Sequence, residues 1–163
     1  DSIEHGSYLD DEIIKLMKKH GTYLVPTLMA GDFVAQKARQ DGYFPPMVAK
    51  KAATIGPIMG AAFKRAYDGG VKIAFGTDSG VSEHGDNARE FALMVEQGMS
   101  PAEAIVSATR SAAELIGDDK IGVIKNGSYA DMVVVKSNPL DNIQTLTDIP
   151  VVIKGGQVVK NEY

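Results

Sequence analysis

The residues best suited to chemistry in this sequence are one carboxylate and two imidazoles. Asp78 lies within Gly76-Thr77-Asp78-Ser79-Gly80, directly after the apolar segment Val71–Phe75. His5 ends the short segment that opens the sequence, and His84 follows Asp78 within the same glycine-rich stretch. Imidazole and carboxylate groups bind divalent metals, and both can transfer protons. The pattern predicts metal binding or acid–base chemistry centred on Asp78.

Each candidate also has a purely structural interpretation. Asp78 could cap the turn after its strand, and the pattern alone leaves the two interpretations about even. A carboxylate that follows an apolar strand is also expected to be partly desolvated. A histidine at a strand end, such as His5, is more often a hydrogen-bonded structural residue than a ligand, and His84 could be a solvated loop residue. Tyr8 could touch a substrate, although packing against its loop is favoured.

Alternating apolar and helical segments must position these residues. We predict strands at Ser2–His5, Thr22–Thr27 and Val71–Phe75, and helices at about Asp10–His20, Met47–Tyr67 with a kink or break at Gly56-Pro57, Asn87–Glu96, and from a Ser100 cap to Ile116. Residues 28–46 are predicted to form a loop that covers a site. This repeat indicates a parallel α/β fold, in which functional groups collect where strands end. His5, Thr27 and Asp78 all occupy such positions.

The pattern changes after Gly117. Three β-type segments follow, at Ile121–Ile124, Asp131–Val135 and Val151–Lys160, and the last is predicted to turn as a hairpin at Gly155-Gly156. We therefore predict two parts: an α/β part over residues 1–117 and a small antiparallel β segment over residues 118–163.

Composition limits the classes of protein and partner. The 163 residues are 44% hydrophobic with a net charge of −4, and the basic residues are scattered, which argues against nucleic acid as a partner. The absence of cysteine excludes disulfides and thiolate metal ligands. No apolar run predicts a membrane span, and a cytoplasmic location is expected, although a signal peptide removed before residue 1 would leave no trace. Because the sequence opens with Asp1 inside a strand-like segment, we expect a C-terminal part of a longer chain.

Ordered motifs link the sequence to a known family. Ile3-Glu4-His5-Gly6, Tyr23-Leu24-Val25-Pro26-Thr27 and Ala74-Phe75-Gly76-Thr77-Asp78-Ser79-Gly80 resemble the later strands of the amidohydrolase superfamily. The resemblance continues through residues 84–90 and 98–101, and Gly127–Asp131 with Asn138–Leu140 is similar to that family's C-terminal β-sandwich segment. The most similar branch is the imidazolonepropionase-like and Xaa-Pro dipeptidase (prolidase)-like group.

The resemblance implies a fold and a set of site residues. The chain would be strands six to eight of a (β/α)8 TIM-type barrel, followed by a small β-sandwich segment. His5 would be a metal ligand at the end of strand six, and Asp78 the strand-eight carboxylate that binds metal and moves a proton. Thr27, His84 and Tyr8 are the candidate substrate-binding residues. The implied cofactor is a divalent metal, zinc foremost, with one or two ions in the complete enzyme.

The implied activity is hydrolysis of amide or peptide C–N bonds by metal-activated hydroxide, of dipeptidase or carboxypeptidase type, on a dipeptide or other small molecule. The family's remaining ligands lie on earlier strands, so the expected partner is the missing N-terminal part of the barrel or another copy, and a homo-oligomer is possible. We expect the chain alone to bind metal weakly and to be inactive. The alternatives are an imidazolonepropionase-like cyclic amide hydrolase and a non-catalytic binding or structural domain.

Overall fold

A small parallel sheet organises the first part of the chain in the computed structural model, which describes residues 1–163. Its strands are β1 (Ser2–Glu4), β2 (Tyr23–Val25) and β3 (Lys72–Ile73), in the order β1-β2-β3. Ile3 pairs with Leu24, which pairs with Ile73, and Leu24 is completely buried. The predicted parallel α/β arrangement is confirmed, although the strands are shorter than predicted.

Helix α1 (Asp11–His20) follows its local sequence signals closely. The Asp10 side chain accepts a hydrogen bond from the Ile13 N–H, and Gly21 ends the helix in the left-handed conformation. Acidic residues occupy the first turn and basic residues the last, as the helix dipole favours. This helix connects β1 to β2, so both strands run in the same direction and end on the same side.

The prediction of a loop over residues 28–46 is wrong for its first part, because α2 spans Leu28–Lys37. The glycine of this helix, Gly31, permits close helix packing. A Cβ atom on Gly31 would lie 2.5 Å from the sulfur of Met59, on helix α3. Glycine in α2 therefore reflects the short distance between two helices rather than a break in one.

Helix α3 (Pro46–Asp68) is continuous through Pro57. Of the kink or break predicted at Gly56-Pro57, the break is therefore wrong. The helix carries the fully buried Phe63, which belongs to the same core cluster as Leu24 and Ile73 of the parallel sheet. The main core combines residues from α1, α3, the three strands and the following helices: Leu9, Ile14, Met17, Leu24, Leu28, Met59, Phe63, Ala66, Val71, Ile73, Met94, Met99 and Ala104.

The remaining helices are α4 (Arg89–Glu96), α5 (Pro101–Val106) and α6 (Ala112–Ile116). Ser100 caps the start of α5, as predicted, and forms a capping box with Glu103. A π-helical turn at Ser107–Ser111 joins α5 to α6, where we predicted uniform helix. The Ser107 carbonyl in this turn accepts a hydrogen bond from the Phe75 N–H. The π-turn thereby anchors the chain just beyond β3.

A separate antiparallel sheet forms the C-terminal segment, with strands β4 (Met132–Val134), β5 (Val151–Lys154) and β6 (Gln157–Asn161). The hairpin at Gly155-Gly156 is confirmed, whereas the strand predicted at Ile121–Ile124 is absent. A 3-10 helix at Ile143–Thr147 packs against α4 through a small apolar cluster of Ala92, Ile143 and Leu146. The division of the chain at residue 117 stays a prediction. None of the helices combines the length and apolar character that a membrane crossing requires.

Candidate active site

Three residues beyond the ends of adjacent parallel strands share an unusual backbone conformation. His5, Thr27 and Asp78, with φ of 64°, 48° and 53°, are the non-glycine residues with positive φ. This region is unfavourable for side chains with a Cβ atom, and especially for a β-branched residue such as Thr27. Strained conformations of this kind cluster at functional sites. The fold therefore distinguishes the same three strand-end residues that the sequence does.

The His5 imidazole is held through one of its two nitrogens. Its Nδ1 lies 2.6 Å from the hydroxyl oxygen of Thr27, which is 3% exposed. The His5 backbone N–H donates to the Val25 carbonyl at 2.9 Å, so both the residue and its ring are tied to β2. Nε2 has no hydrogen-bond partner in the chain. When Nδ1 carries the hydrogen, Nε2 presents a lone pair that can bind a metal.

Asp78 lies in the loop after β3 with its carboxylate exposed, so the expectation of partial desolvation is wrong for this chain. The alternative interpretation, that the Asp78 side chain caps the turn, is also wrong. The turn is closed by the backbone, because the Asp78 carbonyl accepts a hydrogen bond from the Val81 N–H at 3.1 Å. The carboxylate itself makes no hydrogen bond or ion pair with any residue of the chain. It is free to bind a ligand or exchange a proton.

The loop that carries Asp78 is fixed by its neighbours on both sides. Thr77 is buried, and its hydroxyl accepts a hydrogen bond from the Asn87 side-chain amide at 3.1 Å. Gly76 touches the preceding strand so closely that a Cβ atom there would lie 2.3 Å from Cγ1 of Val25. Asp78 is therefore held between β2 on one side and the start of α4 on the other.

The two remaining candidates lie in open surroundings. His84 is exposed and makes no side-chain hydrogen bond, and Tyr8 is 70% exposed. The favoured packing role of Tyr8 is thus wrong. Tyr8 borders an open depression of about 770 Å³ between the start of α1 and α3, which none of His5, Thr27 and Asp78 lines. Tyr8 therefore lines a different depression from the strand-end residues. Substrate binding by Thr27, His84 and Tyr8 stays a prediction.

Glu90 is a residue that the sequence analysis missed. It lies on α4, is 0% exposed, and accepts hydrogen bonds from the Leu28 N–H at 2.9 Å and the Met29 N–H at 2.7 Å. Burial raises the pKa of its carboxyl group to about 7, against the opposing effect of the two N–H donors. The available signal was helical periodicity, since Glu90 shares the buried face of α4 with Met94.

The ligand atoms available at the strand ends are of the types that bind a divalent metal, but they are too few to form a complete site. Imidazole nitrogen and carboxylate oxygen are both zinc ligands, and His5 Nε2 and the Asp78 carboxylate are free. No group of three or more His, Cys, Asp or Glu side chains comes together as a metal site. A catalytic zinc site uses about three protein ligands. His5 and Asp78 would therefore form part of a ligand set completed from elsewhere.

Comparison with known proteins agrees with this geometry. The family model described as "Amidohydrolase family" matches residues 1–159. The chain belongs to the amidohydrolase family, whose members typically use divalent metals. Its α/β fold matches amidohydrolase structures of the TIM-barrel superfamily. The resemblance stated from the sequence motifs is confirmed at the level of the family.

Three individual relatives show which members of the family this chain is similar to. A crystal structure of a Xaa-Pro dipeptidase with methionine bound in its active site is 49% identical, with a TM-score of 0.95, over 99% of this chain and 40% of that one. Ochratoxinase from Aspergillus niger is 34% identical over 98% of this chain and 34% of its own length. Imidazolonepropionase from Cutibacterium acnes is 29% identical over 81% of this chain and 28% of its own. The chain thus spans two fifths or less of the length of these relatives.

Proposed function

We propose that this chain is part of a metal-dependent hydrolase of amide C–N bonds, of the prolidase-like dipeptidase type. The observation that carries the proposal is the set of left-handed residues beyond neighbouring strands, with a free imidazole nitrogen on His5 and a free carboxylate on Asp78. Within a TIM-type barrel we assign β1, β2 and β3 as strands six, seven and eight, whose carboxyl ends face the catalytic side.

His5 and Asp78 would hold the metal, which supplies Lewis-acid activation of the substrate carbonyl and of water. His5 would bind it through Nε2, because Nδ1 is occupied by the Thr27 hydroxyl. Asp78 accepts the proton of the attacking water on its carboxylate and returns it to the leaving nitrogen. The free state of that carboxylate is what this transfer requires. The remaining ligands would come from the rest of a barrel or from a second copy of the chain.

A dipeptide is the substrate class that the similarities favour. The Xaa-Pro dipeptidase is similar over nearly the whole chain, and its active site binds an amino acid. A cyclic amide is the second candidate, since the imidazolonepropionase relative covers most of the chain at lower identity. His84 remains the proposed substrate contact, because it follows Asp78 in the same loop. Thr27 is a weaker candidate, because it is 3% exposed and its hydroxyl lies 2.6 Å from Nδ1 of His5. Tyr8 is a weaker candidate, since it borders a different depression.

The test is hydrolysis by the complete gene product that carries this chain. The protein, loaded with zinc, should cleave Xaa-Pro dipeptides faster than cyclic amides of similar size. Faster ring opening would support the second candidate, and no cleavage of either class would refute the proposal. The 163-residue chain assayed in parallel should bind zinc weakly and show no turnover. Robust hydrolysis by that chain would contradict the inference that His5 and Asp78 need further ligands.

A further inference from the structure

Helix α2 begins without the cap that its own sequence offers. Thr27 is the N-cap residue, and threonine usually caps by accepting a hydrogen bond from the N–H groups of the first turn. Here Thr27 has φ 48° and ψ 42° instead of an extended backbone, and its side chain forms no capping bond. Its hydroxyl is directed to Nδ1 of His5 instead. The first N–H groups of α2 therefore need another acceptor.

Glu90 supplies that acceptor from a distant part of the chain. Its two carboxylate oxygens bind the Leu28 and Met29 N–H groups, which lie 62 and 61 residues away in sequence. A buried carboxylate at this position also complements the positive end of the helix dipole. No cation pairs with it, because the neighbouring Arg89 is directed to Asp32, 3.6 Å away. The first turn of α2 is thus the hydrogen-bonding partner of Glu90.

We infer that Glu90 is a positioning residue for His5 and acts through Thr27. By capping α2 from outside, Glu90 leaves the Thr27 hydroxyl free to hold the imidazole. The inference rests on the proposed function in so far as His5 is a metal ligand. The hydrogen bond on one ring nitrogen decides which nitrogen binds a metal, and removal of such a partner typically lowers metal affinity about 10- to 100-fold.

The alternative is that Glu90 only stabilises the fold. The two roles differ in what happens to His5 when the cap is weakened. A glutamine at position 90 keeps one oxygen acceptor but places an amide N–H₂ against the second backbone donor, so that donor loses its partner. Thr27 can satisfy it only by adopting an ordinary capping conformation, which takes its hydroxyl away from His5. A purely structural role predicts lower stability with the His5 ring unchanged.

The experiment follows the His5 ring by ¹⁵N NMR in the metal-free complete gene product and then measures zinc affinity. The variants are Glu90→Gln, Glu90→Asp, Thr27→Val and Thr27→Ser. Glu103→Gln is the matched control, because Glu103 belongs to the capping box of α5 and its hydrogen bonds are made with Ser100 and Tyr67. We expect Glu90→Gln and Thr27→Val to replace a single His5 tautomer by a mixture and to weaken zinc binding about 10- to 100-fold. Thr27→Ser should retain the wild-type ring signal.

Glu103→Gln should lower the melting temperature without changing the His5 signal. The Thr27→Val/Glu90→Gln double variant should bind zinc no more weakly than either single variant, since both act on one bond. The inference is overturned if Glu90→Gln loses stability while its His5 signal and zinc affinity stay as in the wild type. It is also overturned if neither Glu90 variant folds. Absence of amide hydrolysis by the wild type would refute the proposed function alone, since the metal-free NMR comparison does not depend on activity.

Discussion

The hydroxyl of Thr27 lies 2.6 Å from Nδ1 of His5, although Thr27 is also the residue at which α2 begins. The Thr27 side chain could cap α2 or hold the His5 imidazole, and in this structure it holds the imidazole. Thr27 has a left-handed backbone rather than the extended one of an ordinary N-cap residue. The cap of α2 is supplied by Glu90, which we infer leaves the Thr27 hydroxyl free to orient His5.

Replacement of Asp78 by asparagine should abolish most of the activity and leave the fold intact. In the complete gene product, Asp78→Asn should lower kcat by about 100- to 10,000-fold, as expected for loss of a group that transfers a proton. The melting temperature should hardly change, because the Asp78 side chain is exposed and asparagine tolerates its positive φ. Glu83→Gln is the control, since Glu83 is an exposed carboxylate in the same loop. Full activity of Asp78→Asn would disprove the assigned role.

The three histidines should separate into three classes when each is replaced by alanine. His5→Ala should reduce the zinc content of the purified complete gene product, measured by elemental analysis, because Nε2 is the proposed ligand. His84→Ala should raise KM with the zinc content unchanged, as expected for a residue that contacts substrate. His20→Ala is the control, since His20 lies in the last turn of α1, where it suits the helix dipole. A loss of zinc in His84→Ala but not in His5→Ala would reverse the assignment.

Glu90 should make the stability of the protein depend on pH near neutrality. Its folded-state pKa of about 7 lies above the ordinary glutamate value of 4.5, so the folded state holds this proton more tightly than the unfolded state. The resulting stabilisation is fully present below pH 4.5 and is lost as pH rises through 7. The difference amounts to about 3 kcal/mol, from 1.36 kcal/mol per pKa unit.

Urea unfolding of the wild type and Glu90→Gln at pH values from 5 to 8.5 measures this contribution. The free energy of unfolding of the wild type should fall relative to that of Glu90→Gln as pH rises, because glutamine does not titrate. Glu103→Gln serves as the control for other titrating groups. Parallel pH profiles for wild type and Glu90→Gln would show that Glu90 does not titrate in this range.

Gly76→Ala should disturb the contact between β2 and the loop that carries Asp78. The added methyl group would lie 2.3 Å from Cγ1 of Val25, so one of the two segments must move. Overpacking of this kind destabilises proteins by about 1–3 kcal/mol, and we expect a lower kcat because the loop shifts. Gly85→Ala is the control: its methyl group meets nothing within 4 Å, so only the strain of a positive φ remains. Equal effects of the two substitutions on kcat would argue against a role for the Gly76 contact.

Local signals were enough to predict the elements whose ends carry their own caps. Helix α1 begins after Asp10 and ends at Gly21, and α5 begins at the capping box of Ser100 and Glu103. The C-terminal hairpin turns at Gly155-Gly156. Each of these signals lies within a few residues of the element that it starts or ends. The candidate site was found for a related reason. A polar residue directly after a buried strand is a local pattern, and the order of strands and helices places such residues on one edge of a parallel sheet.

Helix α2 shows why the remainder could not be predicted. Its cap comes from Glu90, and its glycine is explained by the proximity of α3, so both features depend on segments far away in sequence. The prediction of a strand at Ile121–Ile124 was wrong for a similar reason. A β-type segment forms a strand only where a neighbouring strand pairs with it.

The sequence by itself determined the family, the parallel α/β order and the identity of His5, Thr27 and Asp78 as strand-end residues. The tertiary structure alone decided which polar atoms are occupied and which are free. Thr27 holds Nδ1 of His5, Glu90 caps α2, and the carboxylate of Asp78 has no partner within the chain. The physical reason is that residue type and spacing follow from short-range order, whereas the satisfaction of a buried hydrogen-bonding group depends on contacts between segments that only folding brings together.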